Sequence, residues 1–135
     1  MYNKILVASA LNQGFCTKAF KTAKALVSEN GKIIAVHVIE PVNNLVQSFV
    51  SEEAKSKAYE TIKDMMTERC LKDEQDIESV VLTGQAGREI TKYAEKVGAD
   101  CIIVGSHKPG LEEFFLGSTG SRVVRYAKCS VHVLR

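Results

Sequence analysis

The chain has 135 residues, 45% of them hydrophobic and 25% charged, with a formal net charge of +2. That is the size and balance of one globular domain able to bury a core without metal or disulfide staples. Basic and acidic residues are interspersed and no apolar run approaches the ~18 residues of a membrane span, so neither a nucleic-acid surface nor membrane insertion is expected.

Met1 leads almost at once into an apolar strand, so no signal peptide is expected and the cytoplasm is the expected compartment. The cysteines are Cys16, Cys70, Cys101 and Cys129, with no C-x-x-C pair. This spacing argues against zinc and for buried or half-buried free thiols in a reducing compartment.

Apolar runs alternate with amphipathic ones, the pattern of a parallel sheet covered by helices. Residues 4–9 read as the first strand. A helix follows with Phe15, Ala19, Ala23, Leu26 and Val27 on one face, stopped by Asn30-Gly31 through the left-handed freedom of glycine. Residues 32–39 form the second strand, ended by Glu40-Pro41 because proline lacks an amide for the ladder. Residues 42–50 read as a loop with some helical character.

Ser51-Glu52-Glu53 then caps a long helix whose expected buried stripe is Ala54, Ala58, Ile62, Met65 and Met66. Residues 78–82 give the third strand, closed by Thr83-Gly84. The next helix covers residues 86–97, with Ile90, Ala94 and Val97 on one face and Gly98 ending it. Residues 101–104 are continuously apolar, as in a strand buried on both faces. A short helix over residues 118–127 and a final strand over residues 130–134 complete a βαβαβαβαβ order. Right-handed crossovers make this a single-domain, doubly wound α/β fold spanning residues 1–135.

In such a sheet, ligands bind beyond the carboxyl ends of the strands. Residues 8–13, 38–41 and 105–121 reach that edge, and the last segment is the most informative. Gly105 follows a buried strand, and Gly117-Ser118-Thr119-Gly120-Ser121 opens a helix. Amides at a helix N-terminus suit phosphate oxygens, glycines admit the ligand closely, and hydroxyls add hydrogen bonds. The plainer reading is a glycine-rich connection with Ser118 as an ordinary N-cap. His37 reads as a structural histidine and His132 as a sheet-face or dimer-seam residue. His107 lies in the loop with no carboxylate or second base at a telling spacing. Glu112 and Glu113 would diverge on a helical turn. No P-loop or G-x-G-x-x-G occurs, and the first strand lacks the acidic cluster of a phospho-receiver.

Ile5-Leu6-Val7, Val36-His37-Val38-Ile39-Glu40-Pro41 and Ile102-Ile103-Val104-Gly105-Ser106-His107 together resemble the universal stress protein family. So do Leu116-Gly117-Ser118-Thr119-Gly120-Ser121-Arg122-Val123-Val124-Arg125 and Cys129-Ser130-Val131-His132-Val133-Leu134-Arg135. The resemblance covers essentially the whole chain. It implies a five-stranded parallel sheet of order 3-2-1-4-5, helices on both faces, and homodimers joined through the C-terminal strand, Ser130 to Leu134. Whether dimers assemble further, and which protein partner they meet, stays open.

The resemblance also implies a branch that binds ATP or AMP, with Mg2+ as a companion of the phosphates and no tightly held metal. Carried over by position, the nucleotide-binding residues are Ala8, Ser9, Val38, Val104, Gly105, His107, Lys108, Gly110, Gly117, Ser118 and Thr119. Val38 matches the position whose backbone holds adenine. The chain departs from the pattern twice: Lys108 stands at the second glycine in a loop one residue shorter, and Ala10 stands where an acid is usual. Lys108 reads first as a solvated lysine and second as a phosphate cation. The expected function is a dimeric, nucleotide-binding stress-response regulator. The alternatives are a nucleotide-free interaction module, which Ala10 favours, and a slow ATPase, for which no catalytic residue is identified.

Overall fold

The computed structural model describes residues 1–8, 13–41, 49–72, 74–106 and 116–135. In chain order they form β1 (Tyr2–Ala8), α1 (Gln13–Leu26), β2 (Val27–Ile39), α2 (Glu52–Arg69), β3 (Ile77–Thr83), α3 (Ala86–Val97), β4 (Cys101–Gly105), α4 (Ser118–Tyr126) and β5 (Ser130–Leu134). The strands make one sheet in the order β3-β2-β1-β4-β5, and every neighbouring pair is parallel. The expected topology is therefore the observed one.

The sheet divides the core into two layers because successive side chains of a strand point to opposite faces. On one face Ile5, Val7, Ile33, Ala35 and Ile103 meet Phe20 of α1 and Met66 of α2. On the other, Leu6, Ile34, Val36, Ile102 and Val104 meet Ile90 and Ala94 of α3 and Val123 of α4. β1 and β4 lie inside the sheet and carry its most buried side chains. Each such side chain stabilises the fold by about 1.5–3 kcal/mol relative to exposure.

Asp100 joins the start of β4 to β1. Its carboxylate accepts from the Asn3 amide at 2.8 Å and the Lys4 amide at 2.9 Å, and its own amide donates to the Lys4 carbonyl at 3.0 Å. Burial by itself would raise the Asp100 pKa, but the hydrogen bonds from Asn3 and Lys4 outweigh it and hold the carboxyl below the usual range.

Four expectations are corrected. First, α1 ends at Leu26, and Val27 begins β2 instead of joining the helical face. Gly31 does not stop a helix: among the described glycines only Gly84 and Gly98 have positive φ. Gly31 sits where the β1–β2 register breaks between Tyr2 and Lys4, and a Cβ there would lie 3.0 Å from the Asn3 carbonyl oxygen and collide with Val27. Close approach, not left-handed geometry, requires the glycine.

Second, Ala54 and Ala58 are exposed. Ser51 does cap α2, its hydroxyl accepting from the Ala54 amide at 3.1 Å. The first two turns are nonetheless solvated all round, and the face against the core is Tyr59, Ile62 and Met66. Third, Cys16 and Cys70 are not free thiols but a disulfide, with Cα atoms 5.5 Å apart across a sequence separation of 54. α1 and the C-terminus of α2 cover the same face of the sheet, which brings the two together. Cys101 and Cys129 are free. Fourth, Ser118 does not cap α4; Gly117 is the N-cap and Ser118 the first helical residue.

Among the described residues no helix is long and apolar enough to cross a membrane.

Candidate functional site

The strand order reverses between β1 and β4, where the chain leaves β1 toward β2 on one side and reaches β4 on the other. Val7 pairs with Ile103 and Ala8 with Val36, so Ala8, Val104 and Val38 end their strands near one another along the carboxyl edge. Gly105 closes β4 there, paired with Leu134. Ala8, Val38 and Gly105 are half-buried and Val104 is buried. The structure thus brings together Ala8, Val38, Val104 and Gly105 from three strands.

Helix α4 is set directly on this edge. Ser106 donates its amide to the Leu134 carbonyl at 2.8 Å, and its carbonyl accepts from the Gly117 amide at 2.7 Å. A Cβ on Gly120 would stand 3.1 Å from the Gly105 carbonyl oxygen, so the first turn of α4 touches the end of β4. A Cβ on Gly105 would meet the Phe15 ring at 3.2 Å, so α1 closes in from the opposite face. Both glycines are needed for close approach.

The helix N-termini differ in how their amides are used. On α3, Gln85 accepts from the Arg88 amide at 2.7 Å and the Glu40 carboxylate accepts from the Ala86 amide at 2.8 Å. On α4 the cap is a glycine with no side-chain hydrogen bond. Ser121 donates its amide to Gly117 and its hydroxyl to the Leu116 carbonyl at 3.1 Å. The amides of Ser118, Thr119 and Gly120 have no acceptor among the described residues. Unsatisfied amides at a helix N-terminus carry partial positive charge and favour an anion, and α4 has no acid in its first turn to supply it.

Of the sequence-predicted residues, Gly117, Ser118 and Thr119 lie at this N-terminus. Ser9, His107, Lys108 and Gly110, together with Ala10, Glu112 and Glu113, lie outside the described residues. His37 is half-buried opposite Val81, and His132 is half-buried opposite Ile103. No group of three or more His, Cys, Asp or Glu among the described residues is placed to hold a metal ion. Free amides at a helix start are chemically suited to a phosphate, and no described carboxylate cluster stands beside them to hold a magnesium ion.

Sequence reasoning singled out Ser118 and Ser121 but missed the neighbouring Gln85, Arg122 and Arg125. Gln85, Ser118, Ser121, Arg122 and Arg125 line an open hollow of about 390 Å³. The only sequence signal was the helical spacing of Ser118, Ser121, Arg122 and Arg125.

Residues 1–135 match the profile of the universal stress protein family. The whole chain aligns with universal stress protein MJ0577 of Methanocaldococcus jannaschii, 31% identical over 162 residues and covering 96% of it. It also aligns with universal stress protein G of Shigella flexneri, 28% identical over 144 residues with both chains covered in full. The solved structure of MJ0577 matches with a TM-score of 0.80 at 33% identity, covering 99% of this chain and 96% of that one. An Archaeoglobus fulgidus universal stress protein in complex with dAMP shares the fold, with a TM-score of 0.63 at 20% identity, covering 99% of this chain and 98% of that one.

Proposed function

The chain belongs to the universal stress protein family, and on that premise we propose that it binds an adenine nucleotide, ATP or AMP, and acts as a homodimeric regulator. One observation carries the reading: α4 opens on a glycine cap, its first amides have no acceptor among the described residues, and it stands over Gly105 at the reversal of strand order. The amides of Ser118, Thr119 and Gly120 would receive a phosphate, with the Thr119 hydroxyl beside them. The backbone of Val38, near the carboxyl end of β2, would take the adenine edge. When bound, Mg2+ would neutralise phosphate charge.

The chain's own residues in this reading bind and orient; none is assigned a bond-breaking role. Titration calorimetry with ATP and AMP tests it. Saturable heat, weakened by a bulky residue at Gly120, is expected; no heat at millimolar ATP and AMP would sink the nucleotide reading.

The dimer is proposed to form through β5, Ser130–Leu134. β5 is an edge of the sheet, with one side of its backbone ladder unpaired among the described residues, and an edge strand is a template for pairing with another chain. Val131 and Val133 are half-buried, and Val124 and Tyr126 of the adjoining helix are exposed. Light scattering at tens of micromolar protein would show twice the chain mass, and Val131→Pro would return it to the monomer.

A further inference from the structure

We infer that the Cys16–Cys70 disulfide is a site of reversible exchange with a low-molecular-weight thiol, and that its state is felt at the carboxyl edge of the sheet through Phe15 and Gly105. The bond joins α1 to the end of α2 across a sequence separation of 54. α1 lies over β1, β2 and β4, whereas α2 lies over the edge strand β3. The disulfide therefore ties the helix beside the ligand edge to a helix at the far edge of the sheet.

Both oxidation states suit the fold. Cys16 and Cys70 are buried in one apolar cluster with Phe20, Ala23 and Met66, where a free cysteine packs as a small hydrophobe. That packing and the Lys24–Glu74 ion pair remain when the bond is cut. What is lost is the fixed distance between the two helices. Cys16 follows Phe15 in α1, and a Cβ on Gly105 would meet the Phe15 ring at 3.2 Å. Release of Cys16 frees this part of α1 to shift against the end of β4.

The two sulfurs are not equivalent. Cys16 lies near the N-terminus of α1 and is 1% exposed; Cys70 is the C-cap of α2 and is 7% exposed. The positive end of a helix dipole stabilises a thiolate and the negative end disfavours one. Attack at the more accessible Cys70 sulfur therefore expels Cys16 as the better leaving thiolate. The incoming thiolate bonds to Cys70 Sγ, the Sγ–Sγ bond breaks, and its electron pair goes to Cys16 Sγ, which takes up a proton. A second small thiolate attacks the small-molecule sulfur of this mixed disulfide, so Cys70 leaves as a thiolate and is protonated. In all, two small thiols are oxidised to their disulfide and the protein disulfide is reduced by two electrons. The same steps in reverse, with the small disulfide as oxidant, restore the bond. Cys101 does not compete, because burial pushes its thiol up to about 11 and the thiolate is the reactive form.

Mixtures of reduced and oxidised glutathione test the inference on the full chain, with alkylation and peptide mass mapping reading each cysteine. Cys16 and Cys70 are expected to lose and regain their bond together while circular dichroism still reports a folded chain. With oxidised glutathione, Cys16→Ala is expected to form a mixed disulfide at Cys70, and Cys70→Ala none at Cys16. Hydrogen exchange of the folded native chain reads the coupling. Reduction is expected to speed exchange at residues 14–17 and 105–106 by at least about five-fold and to leave α3 unchanged. A bond that opens only when the chain unfolds overturns the inference, as does reduction that leaves exchange at residues 105–106 unchanged. These arms use the native chain, so a cysteine variant that fails to fold does not decide them.

The consequence for a ligand rests on the nucleotide reading above. Calorimetry is expected to show ATP binding the oxidised chain at least about five-fold more tightly than the reduced chain. Should ATP bind neither form while exchange at residues 105–106 responds, the nucleotide reading falls and the exchange site stands. Equal ATP affinity in the two forms overturns the link to the ligand.

Discussion

The Gly120 backbone packs so closely on Gly105 that a Cβ on Gly120 would stand 3.1 Å from the Gly105 carbonyl oxygen and 3.1 Å from Leu116 Cδ1. The leucine can turn away, but the carbonyl belongs to β4 and cannot. This contact fixes how far the α4 amides stand above the sheet edge.

Substitution at Gly120 weighs two opposing effects. Alanine recovers about 1 kcal/mol of helix propensity over glycine, which offsets much of a mild clash. Valine recovers less and adds two methyl groups against the carbonyl, so Gly120→Val is expected to lower stability by about 2 kcal/mol. It should also weaken ATP and AMP together by at least ~10-fold, because α4 must rise from the site. Urea unfolding and calorimetry read the two effects separately, and a variant of native affinity would show that this contact does not set the site.

Much of this arrangement was legible in the sequence. The unbroken apolar run in β4 announced a strand buried on both faces, and Cys101 through Val104 are buried. Ile90 and Ala94 marked the inner face of α3, and Gly98 ends it in the left-handed conformation, φ 71°. What failed depended on partners distant in sequence. Ala54 and Ala58 match the helical period, yet among the described residues nothing packs over the first turns of α2. Gly31 looked like a helix stop because glycine tolerates the left-handed conformation at a helix C-terminus; it lies instead at the register break against β1. Cys16 and Cys70 carry no spacing signal, and Arg88 and Arg122 border one hollow only because α3 and α4 lie side by side.

The Cys16–Cys70 disulfide closes a long loop, and its removal is expected to cost stability through the unfolded state. For a separation of 54 residues, chain entropy gives about 4 kcal/mol. The double variant Cys16→Ala/Cys70→Ala, and the native chain in reductant, should both unfold at lower denaturant with a similar loss. Intact-mass analysis before and after reduction and alkylation checks the pairing first: only two alkyl groups should add to the unfolded, unreduced chain.

Those two groups belong to Cys101 and Cys129. Burial, then the neighbouring Cys129 and Asp100, pushes the Cys101 thiol up to about 11. Burial also raises Cys129, against a backbone hydrogen bond that lowers it. The thiolate is the reactive form, so Cys101 should resist iodoacetamide at pH 8 in the folded protein and react promptly in denaturant. Half-buried Cys129 should label at a measurable but slowed rate. Rapid labelling of folded Cys101 would contradict its placement in the core.

Acid sensitivity follows from Asp100. Its folded pKa is depressed, so the stabilisation is complete above the unfolded value near 3.8 and is lost as pH falls through the lower folded value. Asp100→Asn keeps the size but can accept through one oxygen only, leaving one of the Asn3 and Lys4 amides without its acceptor. The variant should be less stable by about 1 kcal/mol at pH 6. As pH falls toward 2, the native chain loses its advantage and the two stability curves converge. Urea unfolding of both proteins at intervals from pH 6 to pH 2 measures that gap; a gap that stays constant throughout would mean the Asp100 charge does not tie β4 to β1.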